Sequence, residues 1–297
     1  MTIRFYRFIL WVVVLIVSSP SAVGWGFYGH RLINYHAVFL VPSPLFGFFK
    51  THIRYLADHA TDADSRRYAL KEEAPRHYID MDRYRLPDSL RWPIPWNTAV
   101  GVWGEDSLHA HGIVPWWIMT MKYRLQKAFE EKDVPKILKL SADIGHYISD
   151  AHVPLHASSN HNGQLTDQLG IHAFWESRLP ELYAEQEYDL VISPAQYFRA
   201  PLDWIWDRVR ESAAAADTVL TLEKQLSRQF RLQDKMSYEQ RNGVVVRNYS
   251  KRYSSAYHDR LEGMVERRLR QSMYTVASFW YTAWVDAGQP ELPSTAP

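Results

Sequence analysis

The residues most suited to chemistry are histidines set beside carboxylates at helical spacings. The densest run is His146-Tyr-Ile-Ser-Asp150-Ala-His152-Val-Pro-Leu-His156. On a helix His146 and Asp150, four apart, leave one face together and can reach the same cation. Pro154 breaks the ladder beyond them and should bend the chain, swinging His156 toward a neighbouring position. His172 and Glu176 repeat the four-residue spacing. Upstream, Asp62, Asp64, His77 and Asp80 supply further acids and an imidazole, and Trp25-Gly-Phe-Tyr-Gly-His30 precedes them. One such pair usually means no more than a helix-stabilising hydrogen bond, so the weight lies in their number. His36, His52, His59 and His258 stand apart from this pattern and read as ordinary polar or capping residues. His109 and His111, two apart before Pro115, diverge on a helix and read either as cavity-lining residues or as an exposed cap.

The chain has no cysteine, which removes disulfides and thiolate ligands and leaves imidazole, carboxylate and main-chain groups as metal donors. That donor set suits zinc. It also leaves the core, with bound metal, to supply the stability that an exported protein often draws from disulfides.

The elements that must carry these groups are helices. Period-two alternation is scarce, only 13 of 297 residues are glycine, and apolar residues recur at helical spacing. Helices are expected over Gly29–Phe39, Phe48–Leu70, Pro115–Glu131, Pro135–Ala151, His172–Ala184, Leu202–Leu226 and Tyr257–Val285. Asp133 and Pro135 form a start signal, and Leu138, Ala142, Gly145 and Ser149 make a narrow stripe of mostly small residues along the following helix. Leu86–Trp96, with three prolines, and Ser158–Gly170, rich in Asn, Ser, Gln and Gly, read as loops. No repeat of solenoid period is present. With 46% hydrophobic and 14% aromatic residues, the chain can bury one large core.

Residues 1–24 read as an export signal: Arg4 and Arg7, then the apolar run Phe8–Val17, then Ala22 and Gly24 for cleavage. The run is too short for a stable membrane span. The expected organisation is a leader over 1–24, one domain over 25–286 and a disordered proline-containing tail over 287–297, in a periplasmic or secreted protein. Removing Arg4 and Arg7 takes the 34 basic residues to 32 against 33 acidic ones, a net of −1, which gives no footprint for scanning duplex DNA and points to no protein partner.

Taken together, Trp25, His30, Asp64, His77-Tyr78, His146-(x)3-Asp150-(x)5-His156 and His172-(x)3-Glu176 resemble the zinc phosphodiesterase superfamily of fungal and plant single-strand nucleases and bacterial phospholipase C. The resemblance covers about Trp25 to Leu179; the last third agrees only in being helical. It implies a mainly α, single-domain multi-helix fold with a trinuclear zinc site. It implies that Asp64, His77, His146 and Asp150 hold one zinc and that Asp150 bridges to a second, which the α-amine and carbonyl of Trp25 and His30 complete. His156, His172 and Glu176 would hold the third. A free α-amine at Trp25 exists only after cleavage behind Gly24, which would couple export to site completion.

The implied reaction is phosphodiester hydrolysis, with Asp64 orienting or deprotonating the attacking water and Arg67 reaching a phosphate oxygen. Arg67, like Arg66 and Arg76, fits a solvated helix face equally well. Tyr78 and Phe174 are candidates to line the site and meet the substrate, while Trp175 suits core packing. The run Ser149-Asp-Ala-His-Val-Pro-Leu-His156 and the Asp64–Arg67 spacing favour a nuclease taking single-stranded nucleic acid. Glu176 and the missing disulfides favour a phospholipase C taking phospholipid. Purely structural, non-catalytic zinc is the remaining alternative; nine ligands over three ions leave open positions, which favours catalysis.

Overall fold

The computed structural model describes residues 26–241 and 243–293. The leader over 1–24, Trp25 and the last four residues of the expected tail lie outside them. The chain forms a mainly helical single domain. In order it runs through α1 (Gly26–Ala37), α2 (Ser43–Thr51), α3 (Ile53–Asp58), α4 (Asp62–Arg66), α5 (Trp96–Trp103) and α6 (Glu105–His111). The long pair α7 (Val114–Glu131) and α8 (Val134–Ala151) follows, then α9 (Ile171–Ala173), α10 (Leu179–Tyr183) and α11 (Pro201–Ser227). The chain closes with α12 (Leu232–Lys235), an antiparallel hairpin of β1 (Met236–Arg241) and β2 (Val244–Tyr249), α13 (Lys251–Arg260) and α14 (Met264–Asp286).

Helix α8 is the axis of the fold. Its start is fixed by the Asp133 carboxylate, which accepts from the Lys136 amide at 3.2 Å, with Pro135 in the first turn. From Leu140 to Ala151 it is continuously buried, against α7, α1, α3 and α14. Its small stripe has a clear use at Gly145: a Cβ there would lie 2.0 Å from Asn34 Oδ1 of α1. Asn34 in turn donates to the carbonyls of Leu56, at 3.1 Å, and Ala142, at 3.2 Å, tying α1, α3 and α8 into one bundle. The aromatic core continues through Trp206 of α11 and Trp280 of α14, whose indole N–H donates to the Ser141 carbonyl at 3.0 Å.

Several expected boundaries fall differently. The helix expected over Phe48–Leu70 is three short helices, interrupted at His52 and again over His59–Thr61. The helix expected over Tyr257–Val285 is split between α13 and α14, where Glu262 and Gly263 take left-handed backbone, at φ 48° and 74°. Helices α5 and α6 were not anticipated, being short and rich in residues that also suit loops. The hairpin follows from Asn242-Gly243, a two-residue turn signal whose flanking strands lack clean alternation; Gly243 supplies φ 78°. The two expected loops carry no α-helix, apart from Trp96, where α5 begins.

Candidate metal centre

Helices α1, α4, α8 and the α9–α10 segment converge on the chemistry-bearing residues. His30 of α1 stacks on His146 of α8 with ring centroids 3.9 Å apart, an approach that the missing side chain at Gly145 permits. The break over His59–Thr61 has its own consequence. It frees the Ala60 carbonyl, which lies 2.8 Å from His146 Nδ1. A carbonyl only accepts, so Nδ1 carries the proton and Nε2 is left for the centre.

The same arrangement recurs twice. His156 Nδ1 donates to the His77 carbonyl at 2.6 Å, and His172 Nδ1 donates to the His161 carbonyl at 2.8 Å. Their Nε2 atoms lie 3.2 Å from one another and, in turn, 3.6 Å and 2.9 Å from Glu176 Oε2. His77 is reversed: Nδ1 lies 2.9 Å from Asp150 Oδ2 and 3.0 Å from His146 Nε2, while its Nε2 faces Glu73 Oε1 at 3.7 Å. Between His172 and Glu176 the helix opens into a π-helical turn over Phe174–Arg178, a widening often found where function fixes side-chain direction.

Eight of the nine expected ligands are described, and all are buried. Three groups can each bring their donor atoms within 4.8 Å of one another: His30, Asp64 and His146; His77, His146 and Asp150; and His156, His172 and Glu176. The third is the expected set. In the others Asp64 lies 3.7 Å from His146 Nε2 and 3.8 Å from His77 Nδ1, and Asp150 reaches His30 Nε2 at 3.4 Å through Oδ1 and His77 through Oδ2.

The donor set fits divalent cations. Both ring nitrogens of His30, both oxygens of Asp64 and Glu176, and Asp150 Oδ1 are buried and make no hydrogen bond. Unsatisfied buried polar atoms cost about 1–3 kcal/mol each, so this many in one place calls for a cation to bind them. Burial, then the neighbouring His146, holds His30 well below the ordinary imidazole value, in the neutral form that ligates. Burial pushes the Asp64 carboxyl up against the pull of His146, with Asp150 adding to the rise.

The centre opens into a cavity of about 490 Å³ walled by Arg67, His77, Tyr78, Asp80, Arg83, His111, His156, Ser159, His161 and His172. Arg67 Nη1 lies 3.7 Å from Asp64 Oδ1 and makes no hydrogen bond. Arg66 and Arg76 instead serve a buried carboxylate: Glu73 accepts from Arg76 at 2.5 Å, from Arg66 at 3.5 Å and from the Tyr147 hydroxyl. Tyr78 lines the cavity. Phe174 does not: it is buried and stacked on Tyr249 at 3.8 Å, behind the His172–Glu176 segment. Trp175 is buried in the core. His152, inside the densest motif, turns away to the Ile148 carbonyl, at 2.8 Å, and Thr275. His109 and His111 part company. His109 opens on a separate aromatic cavity with Trp96, Trp116 and Trp117, and His111 opens on the metal-centre cavity. Arg83 and His161 are cavity residues that spacing alone did not single out, because loop geometry brings them there.

No protein-family model matches the sequence, and no curated protein does. Among solved structures, the fold is similar to that of Clostridium perfringens alpha-toxin from an avian strain, with a TM-score of 0.50 and 12% identity over 92% of this chain and 66% of that one. The chain thus spans just under two thirds of that protein, and at this identity the likeness establishes a shared fold.

Proposed function

We propose that the protein is a zinc-dependent phosphodiesterase whose three cations are held by Trp25, His30, Asp64, His77, His146, Asp150, His156, His172 and Glu176. The observation that carries this reading is that the buried donor atoms of His30, Asp64 and Glu176, with one oxygen of Asp150, make no hydrogen bond, beside a cavity that also presents Arg67 and Arg83. Clustered zinc at such a site lowers the pKa of water and stabilises the entering and leaving oxygens of an in-line displacement at phosphorus.

The chain's own residues divide the remaining work. The Asp64 carboxylate, buried between His146 and His77, is placed to accept the proton of the attacking water. Arg67, whose Nη1 faces Asp64 at 3.7 Å without a hydrogen bond, donates to a non-bridging phosphate oxygen. Tyr78, its hydroxyl donating to the Ala110 carbonyl at 3.3 Å, presents a fixed ring at the cavity wall. A fixed aromatic face together with two guanidinium groups suits a single-stranded nucleic acid, whose base stacks while its phosphate is held. Glu176 supports the second reading, phospholipid cleavage in the manner of phospholipase C. No helix among the described residues is long and apolar enough to cross a membrane. The enzyme would act after export and removal of its leader.

Zinc-loaded protein beginning at Trp25 should be incubated side by side with single-stranded DNA, RNA, 3'-nucleotides and phosphatidylcholine. Cleavage of the nucleic acids is expected; cleavage of the lipid alone transfers the reading to phospholipase C. Tightly held zinc without hydrolysis of any of them sinks the enzymatic reading.

A further inference from the structure

The proposed reaction leaves one proton unaccounted for: that required by the departing oxygen. We infer that His111, paired with Asp80, is the acid that supplies it. This inference rests on the phosphodiesterase reading and extends it.

Position is the first argument. The stretch from His77 to Asp80 is bonded on one side to the His156 segment, with Ile79 N donating to the His156 carbonyl at 2.9 Å. On the other side it is bonded to the end of α6, with Asp80 N donating to the His111 carbonyl at 2.8 Å and Val114 N to the Tyr78 carbonyl at 3.2 Å. This ladder sets His111 at a fixed offset from two metal-centre histidines. The close fit needs a glycine next to His111. A Cβ at Gly112 would stand 2.1 Å from the Tyr78 carbonyl oxygen, and the residue's φ is 87°.

Chemistry is the second. The Asp80 Oδ2 atom lies 3.4 Å from His111 Nδ1, a contact loose enough to tighten on substrate binding. The carboxylate accepts from Nδ1–H, which leaves Nε2–H as the proton to be given. His161, the other non-ligating histidine of the cavity, has an amide neighbour, Gln164, rather than a carboxylate. The His111 side chain is 36% exposed, so solvent can return its proton between turnovers.

The balance is complete. The water oxygen bonds to phosphorus as the ester P–O bond breaks. One water proton passes to Asp64, and His111 Nε2–H passes to the leaving oxygen, yielding a phosphomonoester and an alcohol. Asp64 then releases a proton to solvent and His111 takes one up.

A leaving-group comparison tests this. Zinc-loaded protein beginning at Trp25 is assayed on a 4-nitrophenyl phosphodiester, whose leaving group needs no proton, and on a dinucleotide, whose sugar alkoxide does. His111→Asn should lower kcat on the dinucleotide about 100-fold or more and on the nitrophenyl ester by less than about 10-fold, with zinc content unchanged. Asp80→Asn should show the same asymmetry more weakly. Equal losses on the two esters, no loss on the dinucleotide, or loss of zinc in both variants overturns the assignment. Inertness of the unmutated protein toward both esters is a different result: it removes the phosphodiesterase reading itself.

Discussion

Asp150 turns Oδ2 to within 2.9 Å of His77 Nδ1, which leaves its Oδ1 for His30 at 3.4 Å. Asp150 therefore approaches one histidine from each of two clusters, as the proposed bridging role requires. Asp150→Asn should cost two of the three proposed zinc ions and lower kcat by about 10²–10³-fold, the scale of a lost electrostatic component. Glu176→Gln should cost only one ion. Metal analysis after dialysis distinguishes the two, and equal zinc loss in both variants contradicts the bridging role.

Zinc uptake should be coupled to proton release. Burial depresses His146, but Asp150 and Asp64 overcome it and lift the imidazole to about 9 in the cation-free protein. Ligation needs the neutral ring, so below pH 9 binding must expel this proton and affinity should fall as pH falls, by about tenfold per unit from this group. Calorimetry in buffers of different ionisation enthalpy reports the released protons. Affinity independent of pH between about 6 and 8 would falsify this assignment.

Glu73 should govern acid stability. Burial alone would raise its carboxyl, but His77, Tyr147 and Arg66 outweigh it and bring the value down to about 2. Its contribution is therefore present above the ordinary glutamate value near 4.5 and is lost as pH falls from there toward 2. Glu73→Gln should lower the melting temperature at neutral pH and flatten the decline between pH 4.5 and 2. An unchanged acid limb contradicts it.

Gly145→Ala tests the contact that brings α1 to α8. The added methyl would meet Asn34 Oδ1 at 2.0 Å, so α1 must shift or Asn34 must give up its bonds to Leu56 and Ala142. A loss of about 1–3 kcal/mol is expected from overpacking, together with weaker zinc retention through displacement of His30. Denaturant unfolding and chelator competition measure the two effects; a variant as stable as the original rules out the tight crossing.

An N-terminal extension tests the expected ligand at Trp25. Gly26 is the first described residue and packs so closely on Ser177, next to Glu176, that a Cβ there would lie 2.6 Å from the serine Oγ. A tag retained directly before Trp25 should reduce zinc content by one ion and lower activity. Full zinc content and activity in the extended protein rejects the α-amine as a ligand.

The helical class, the boundaries of α7, α8 and α11 to within a residue or two, and the acids and imidazoles that pair along one helix are all legible in the amino-acid order. Those features are local: Asp133 caps α8 through its own first turn, and a four-residue spacing puts His146 beside Asp150 wherever that helix lies. The other features depend on contacts between distant parts of the chain. Whether His152 or His156 faces the centre depends on the turn after α8, and Phe174 lost its expected place because Tyr249, far along the chain, covers it. The break that frees the Ala60 carbonyl has no proline or glycine to announce it, since its compensation is a hydrogen bond to His146, 86 residues away. Asp80, Arg83 and His111 share a cavity only because backbone bonds join the His77–Asp80 stretch to His156 on one side and to His111 on the other. Spacing along a chain specifies neighbours within a turn of helix, whereas a reaction site is closed by contacts whose partners lie tens of residues apart.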